Sequence, residues 1–158
     1  KMLAEIKNIA VKLGMKILQE KETCLILHPH PNCESLNLDF ERYADVKEKG
    51  RKQYSYEAET LKHFDVIRDD DFVCSGFTKT QYAGYKMHML VAEILRKVAS
   101  RCSLAYIEDE AGYYESNDRD RTIEKFDESS EMISRIAAEL KEAFGKDKVF
   151  CAMDNLES

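Results

Sequence analysis

The sequence predicts an α+β fold: an N-terminal helix and an antiparallel β-meander, with a central and a long C-terminal helix packed on the sheet. Three observations carry that expectation. Apolar residues recur at steps of three and four near the N-terminus, in the middle and over the last third of the chain. Between them lies a stretch with apolar content at period two. The six glycines all fall at element boundaries, where a residue without Cβ relieves the backbone cost of caps and turns. With 158 residues the chain reads as a single globular domain, 1–158, and should bury roughly 70% of its unfolded surface.

The elements follow in order. Met2 to Leu13 carries Leu3, Ile6, Ala10 and Leu13 on one helical stripe, with Lys7 and Lys12 outward and Gly14 as the C-terminal cap. Met15–Glu20 and Thr23–Leu27 read as two strands of a hairpin turned at Lys21-Glu22. The rival reading, a helix running on to Gln19, would place Gly14 inside it at a cost of roughly 1 kcal/mol. Pro29 and Pro31 stop the second strand, because proline cannot donate to a ladder. Ser35–Glu41 alternates polar and apolar and completes a three-strand meander. Lys47–Lys52 is all polar and reads as a loop tip. Tyr54–His63 has no clear period. Phe64–Ile67 and Phe72–Cys74, around Asp69-Asp70-Asp71, suggest a further hairpin or bent strand.

The central helix is expected over Tyr85–Arg101. Met87, Leu90, Val91, Ile94, Leu95 and Val98 form its inner face, and Arg96, Lys97, Ser100 and Arg101 point away. Leu104–Ile107 is apolar at every position and reads as an interior strand. The last helix runs from about Arg121 to Phe144, capped by Asp118 or Asp120 and ended by Gly145. Lys148–Ala152 suggests a final strand.

Composition excludes several classes. Lys+Arg is 24 against Asp+Glu 30, so the formal charge is −6, a field that disfavours nucleic acid and anionic lipid. No apolar run approaches the ~20 residues of a membrane span, and no signal peptide is recognisable. The five cysteines are odd in number and contain no CxxC, which suits reduced thiols in a cytoplasmic protein. Cys24, His28, His30 and Cys33 lack the paired spacing of a zinc site, so no metal and no cofactor are expected.

Chemistry concentrates in 76–115. The run Gly76-Phe-Thr-Lys-Thr-Gln-Tyr-Ala-Gly84 precedes a helix, where amides and hydroxyls can hold an anion beside Lys79. Its spacing does not fit the triphosphate-binding loop GxxxxGK[ST]. His88 lies at the border of the apolar face and could serve as a general base if a carboxylate orients it. Glu108, Asp109 and Glu110 adjoin Tyr113, Tyr114 and Glu115, with no EF-hand spacing. Lys79, Thr80, Tyr82, Asp109 and Tyr114 are therefore the candidate ligand-binding residues, and His88 and Glu110 the candidate catalytic ones. No GxSxG elbow is present.

Two functional expectations follow. The first is a small non-catalytic ligand-binding or regulatory domain in the cytoplasm, with a small anionic ligand and room for a homodimer. The alternative is an enzyme whose acid/base pocket is built from Lys79, His88, Asp109 and Glu110.

Overall fold

The computed structural model describes residues 1–48, 67–74 and 76–145, with side chains at 47 and 48 excepted. The expectations for 49–52, 54–63, 64–66 and 148–152 lie outside the described residues. The chain divides into two compact units: Lys1–Pro29 with Ser35–Thr78, and His30–Glu34 with Lys79–Ser158.

In the first unit, helix α1 (Met2–Lys12) turns Ile6 and Ala10 fully inward, one turn apart. Its end is a Schellman motif. The Gly14 N–H donates to the Val11 carbonyl at 3.0 Å and the Met15 N–H to the Ala10 carbonyl at 3.0 Å. Gly14 sits at φ +77°, which L side chains rarely adopt, and Met15 beyond it is buried. The helix therefore stops at the glycine and the hairpin begins, as expected from the sequence.

Strands β1 (Lys16–Glu20), β2 (Cys24–His28) and β3 (Leu36–Asp39) form an antiparallel sheet in that order. Central β2 is apolar nearly throughout, with Cys24, Leu25 and Leu27 buried. In β3, Leu36 and Leu38 are buried while Asn37 and Asp39 face solvent, the alternation of a one-sided sheet. The ladder of β1 slips between Ile17 and Gln19, so Leu18 is left unpaired and 49% exposed. An exposed ion pair, Lys7 Nζ to Glu20 Oε2 at 2.6 Å, joins α1 to β1.

Two further elements refine the expected pattern. β4 (Glu41–Arg42) pairs antiparallel with β5 (Phe72–Val73), so the Phe72 patch finds its partner early in the chain. Helix α2 (Tyr43–Glu48) follows β4 directly, and the expected loop at Lys47 begins inside it. The Tyr43 and Ala44 N–H groups, which a helix start leaves without intrahelical partners, donate to the Asp71 and Asp69 carbonyls at 2.9 and 3.2 Å.

In the second unit, a 3₁₀ turn (Gln81–Ala83) leads into α3 (Gly84–Ala99), whose buried face is Val91, Ala92, Ile94 and Val98. A short α4 (Tyr113–Ser116) and a long α5 (Arg119–Phe144) follow. Asp118 caps α5, its Oδ1 accepting the Arg121 N–H at 3.0 Å. Thr122 is the one buried residue of α5, its hydroxyl donating to the Asp118 carbonyl at 2.7 Å.

Leu104–Ile107 is not an interior strand. It has no regular structure, and Leu104 and Tyr106 are 49% and 65% exposed. A four-residue apolar run has no period of its own, and only a neighbouring strand would make it part of a sheet. Among the described residues no strand pairs with this segment, so it gains no ladder.

Candidate functional site

The site is built on the first turns of α3 and on the loop 108–112. Gly84 opens α3 and places His88 one turn in, on the border between its buried and solvent faces. Asp109 begins a tight turn: the Gly112 N–H donates to its carbonyl at 2.9 Å, and the Ala111 N–H to its Oδ1 at 2.9 Å. Gly112 closes that turn at φ +75°, in the left-handed region that glycine enters without strain. The Tyr114 N–H then donates to Asp109 Oδ2 at 2.8 Å. One carboxylate therefore satisfies two backbone donors where the loop enters α4.

His88 meets this carboxylate from α3. Its Nε2 lies 3.1 Å from Oδ1 and 3.2 Å from Oδ2, and the two side chains are 14% and 6% exposed. Burial alone would raise the Asp109 carboxyl. The Tyr114 N–H, the His88 charge and the Ala111 N–H outweigh it and hold the group below the ordinary carboxylate range. An ionised carboxylate has no proton to give, so Nε2 carries the hydrogen of this contact. On the neutral ring Nδ1 accepts, and the Thr80 hydroxyl donates to it at 2.8 Å. Phe126 of α5 packs on the imidazole, ring centroids 5.2 Å apart.

Thr80 precedes the 3₁₀ turn, and its carbonyl accepts the Ala83 N–H at 2.9 Å. Its side chain does not cap that turn, because the hydroxyl bonds His88 instead. Hydroxyl, imidazole and carboxylate thus form a continuous chain. Its order differs from that of a serine-hydrolase triad, where the hydroxyl faces Nε2 and the carboxylate Nδ1. Thr80 is 7% exposed.

Of the residues the sequence singled out, the structure brings together Thr80, His88 and Asp109, with Tyr114 joined through its N–H. Tyr82 is half-buried on the 3₁₀ turn. Lys79 is exposed, and its carbonyl accepts the Glu34 N–H at 3.1 Å. Glu110 is exposed, and its carbonyl accepts from Lys125 Nζ at 3.1 Å.

Arg96 was expected to point away from the fold, and it does not. Its guanidinium donates to the Tyr114 carbonyl from Nε at 3.1 Å and from Nη2 at 2.9 Å, to the Tyr113 carbonyl, and to Asn117 Oδ1 at 3.0 Å. It also pairs with Glu93 and lies 4.8 Å from the Tyr113 ring centroid. The Tyr114 carbonyl is one that a four-residue helix leaves open, while the Tyr113 carbonyl also accepts the Asn117 N–H at 2.9 Å. His88 and Arg96, two helical turns apart on α3, grip the two ends of the 109–117 loop. No spacing in the sequence marks Arg96, because its partners are mostly backbone carbonyls.

Among the described residues no group of His, Cys, Asp and Glu could hold a metal ion, and no helix is long and apolar enough to cross a membrane. Two concavities, one along Asp120–Glu131 of α5 and one lined by Lys1, Leu3 and Glu22, do not include Thr80, His88 or Asp109. No protein-family model, curated protein or solved structure matches this chain.

Proposed function

We propose that the chain is a non-catalytic binding or regulatory domain, and that Thr80–His88–Asp109 is a latch holding the 109–117 loop against α3. The observation that carries this reading is the closure of the latch. The Thr80 hydroxyl, which would have to meet a substrate, is buried, and the Asp109 carboxylate already accepts from two amides and one imidazole. A small anion beside Lys79 would find no donor in that hydroxyl, which is committed to His88. Free Cys24 and Cys102, both raised by burial, suit a reducing compartment, and the cytoplasm is the location we propose.

One observation favours the second reading, an acid/base enzyme using Lys79, His88, Asp109 and Glu110. The hydroxyl–imidazole–carboxylate chain has hydrogen-bond distances suited to activating an oxygen nucleophile. A fluorophosphonate separates the two. An activated hydroxyl displaces its fluoride and forms a phosphonyl ester, visible by mass spectrometry of the intact chain and its peptides. The latch reading expects Thr80 unlabelled. An adduct at Thr80 that disappears in His88→Gln would overturn it.

A further inference from the structure

We infer that the C-terminal half of α5 is a docking face for an amphipathic helical segment with a basic flank. This rests on the binding-domain reading and names the surface and partner chemistry it would use. α5 is 26 residues long, about 39 Å at 1.5 Å per residue, yet Thr122 in its first turn is its one buried residue. Further along, Met132, Ile136, Leu140 and Phe144 are 50%, 47%, 41% and 63% exposed. They stand four residues apart, so they form a continuous stripe about 18 Å long on one side of the helix. Ile133 and Ala137 lie alongside, half-buried. Scattered apolar side chains on a surface are ordinary, but a contiguous row is the pattern of a binding face.

The charges beside the stripe select the occupant. Glu128 lies one turn before Met132 and Glu139 one turn after Ile136 on the same border, both exposed, with Glu131 and Glu142 behind them. Arg135 is the single cation on that side. A helix laid along the stripe presents its own flank to these carboxylates, and lysine or arginine there is attracted where glutamate is repelled. Recognition of this kind uses apolar anchors at steps of three and four set into a partner's apolar face.

The test uses the full chain and a fluorescein-labelled Leu/Lys amphipathic peptide of about 14 residues, long enough to cover the stripe. Fluorescence anisotropy is read against a Leu/Glu peptide of the same pattern and a Leu/Lys peptide of scrambled order. The Leu/Lys helix binds, and binds more weakly at high salt. Ile136→Glu and Leu140→Glu each weaken it at least about tenfold, as loss of a central anchor does. Glu128→Lys with Glu139→Lys weakens it too, while Val11→Glu, an exposed apolar site on α1, leaves it unchanged. Far-UV circular dichroism verifies that each variant keeps its helices. No binding of the Leu/Lys helix overturns the inference, as does equal binding of the Leu/Glu or scrambled peptide, or affinity indifferent to the α5 variants. A light-scattering mass of twice the monomer that reverts in Ile136→Glu also overturns it, by making a second copy the occupant. None of these outcomes depends on Thr80 labelling, so failure here and failure of the binding-domain reading are distinguishable.

Discussion

Removing the Asp109 carboxylate should release the loop it holds. In Asp109→Ala the Ala111 and Tyr114 N–H groups and His88 Nε2 lose their shared acceptor at once, at a site where the carboxylate side chain is 6% exposed. Hydrogen bonds to a charged group contribute about 1.5–3 kcal/mol each, and breaking one side of a buried charged cluster costs about 3–5 kcal/mol. The three bonds are not additive, because they meet on one group, so we expect a loss of about 3–4 kcal/mol in the second unit. Asp109→Asn keeps one carbonyl oxygen and should cost less than half of that. Native-state hydrogen exchange reads the effect locally. The Tyr114 amide should exchange about two to three orders of magnitude faster in Asp109→Ala, each tenfold step being about 1.4 kcal/mol. The Leu25 and Leu27 amides of the meander should keep their protection. A Tyr114 rate within threefold of the parent would refute the argument that this carboxylate fastens the loop.

The other predictions concern the same loop and the two cores. Because the folded-state Asp109 carboxyl lies below its unfolded value of about 3.9, its stabilisation is fully present above that pH and is lost as pH falls through the folded value. Urea titrations of the parent from neutral pH to about pH 3 should show this loss, and Asp109→Asn should flatten it. Thr80→Val leaves His88 Nδ1 without its partner and should cost about 1–2 kcal/mol, while Thr80→Ser should recover most of it in chemical unfolding. Gly112→Ala has room for the new methyl, 3.7 Å from Lys125 Nζ, but not the backbone angle, and should lower stability by about 1–2 kcal/mol. Leu25→Ala, in the centre of the sheet and 1% exposed, should cost about 2–5 kcal/mol and lower the melting temperature.

The N-terminal half was legible because two physical signals agreed there. Ser35–Glu41 alternates strictly, and Gly14 supplies the positive φ that ends a helix, so α1, the hairpin and β3 follow within a residue or two. The caps Asp118 and Gly145 likewise bounded α5. Leu104–Ile107 was misread because apolar content says that a segment is attracted to something, not that a strand lies beside it. α2 was missed because its first amides are satisfied by Asp69 and Asp71 carbonyls distant in sequence. At the candidate site, His88 and Asp109 were recognisable by type, since a border histidine and a turn carboxylate are common partners. Their meeting, and the part of Thr80, depends on how α3 and the loop fold together, 21 residues apart. Arg96 left no trace in the sequence because backbone carbonyls, its main partners, are the same for every residue.

The hydroxyl of Thr80 has a consequence for the ring it faces. A hydroxyl both donates and accepts, so by rotating it matches Nδ1 in whichever role that nitrogen takes, and the 2.8 Å contact is kept in either. A backbone amide or carbonyl in its place would suit one role alone. The imidazole is therefore fastened from this side without its hydrogen being dictated, a tolerance that valine at position 80 would abolish and serine would preserve.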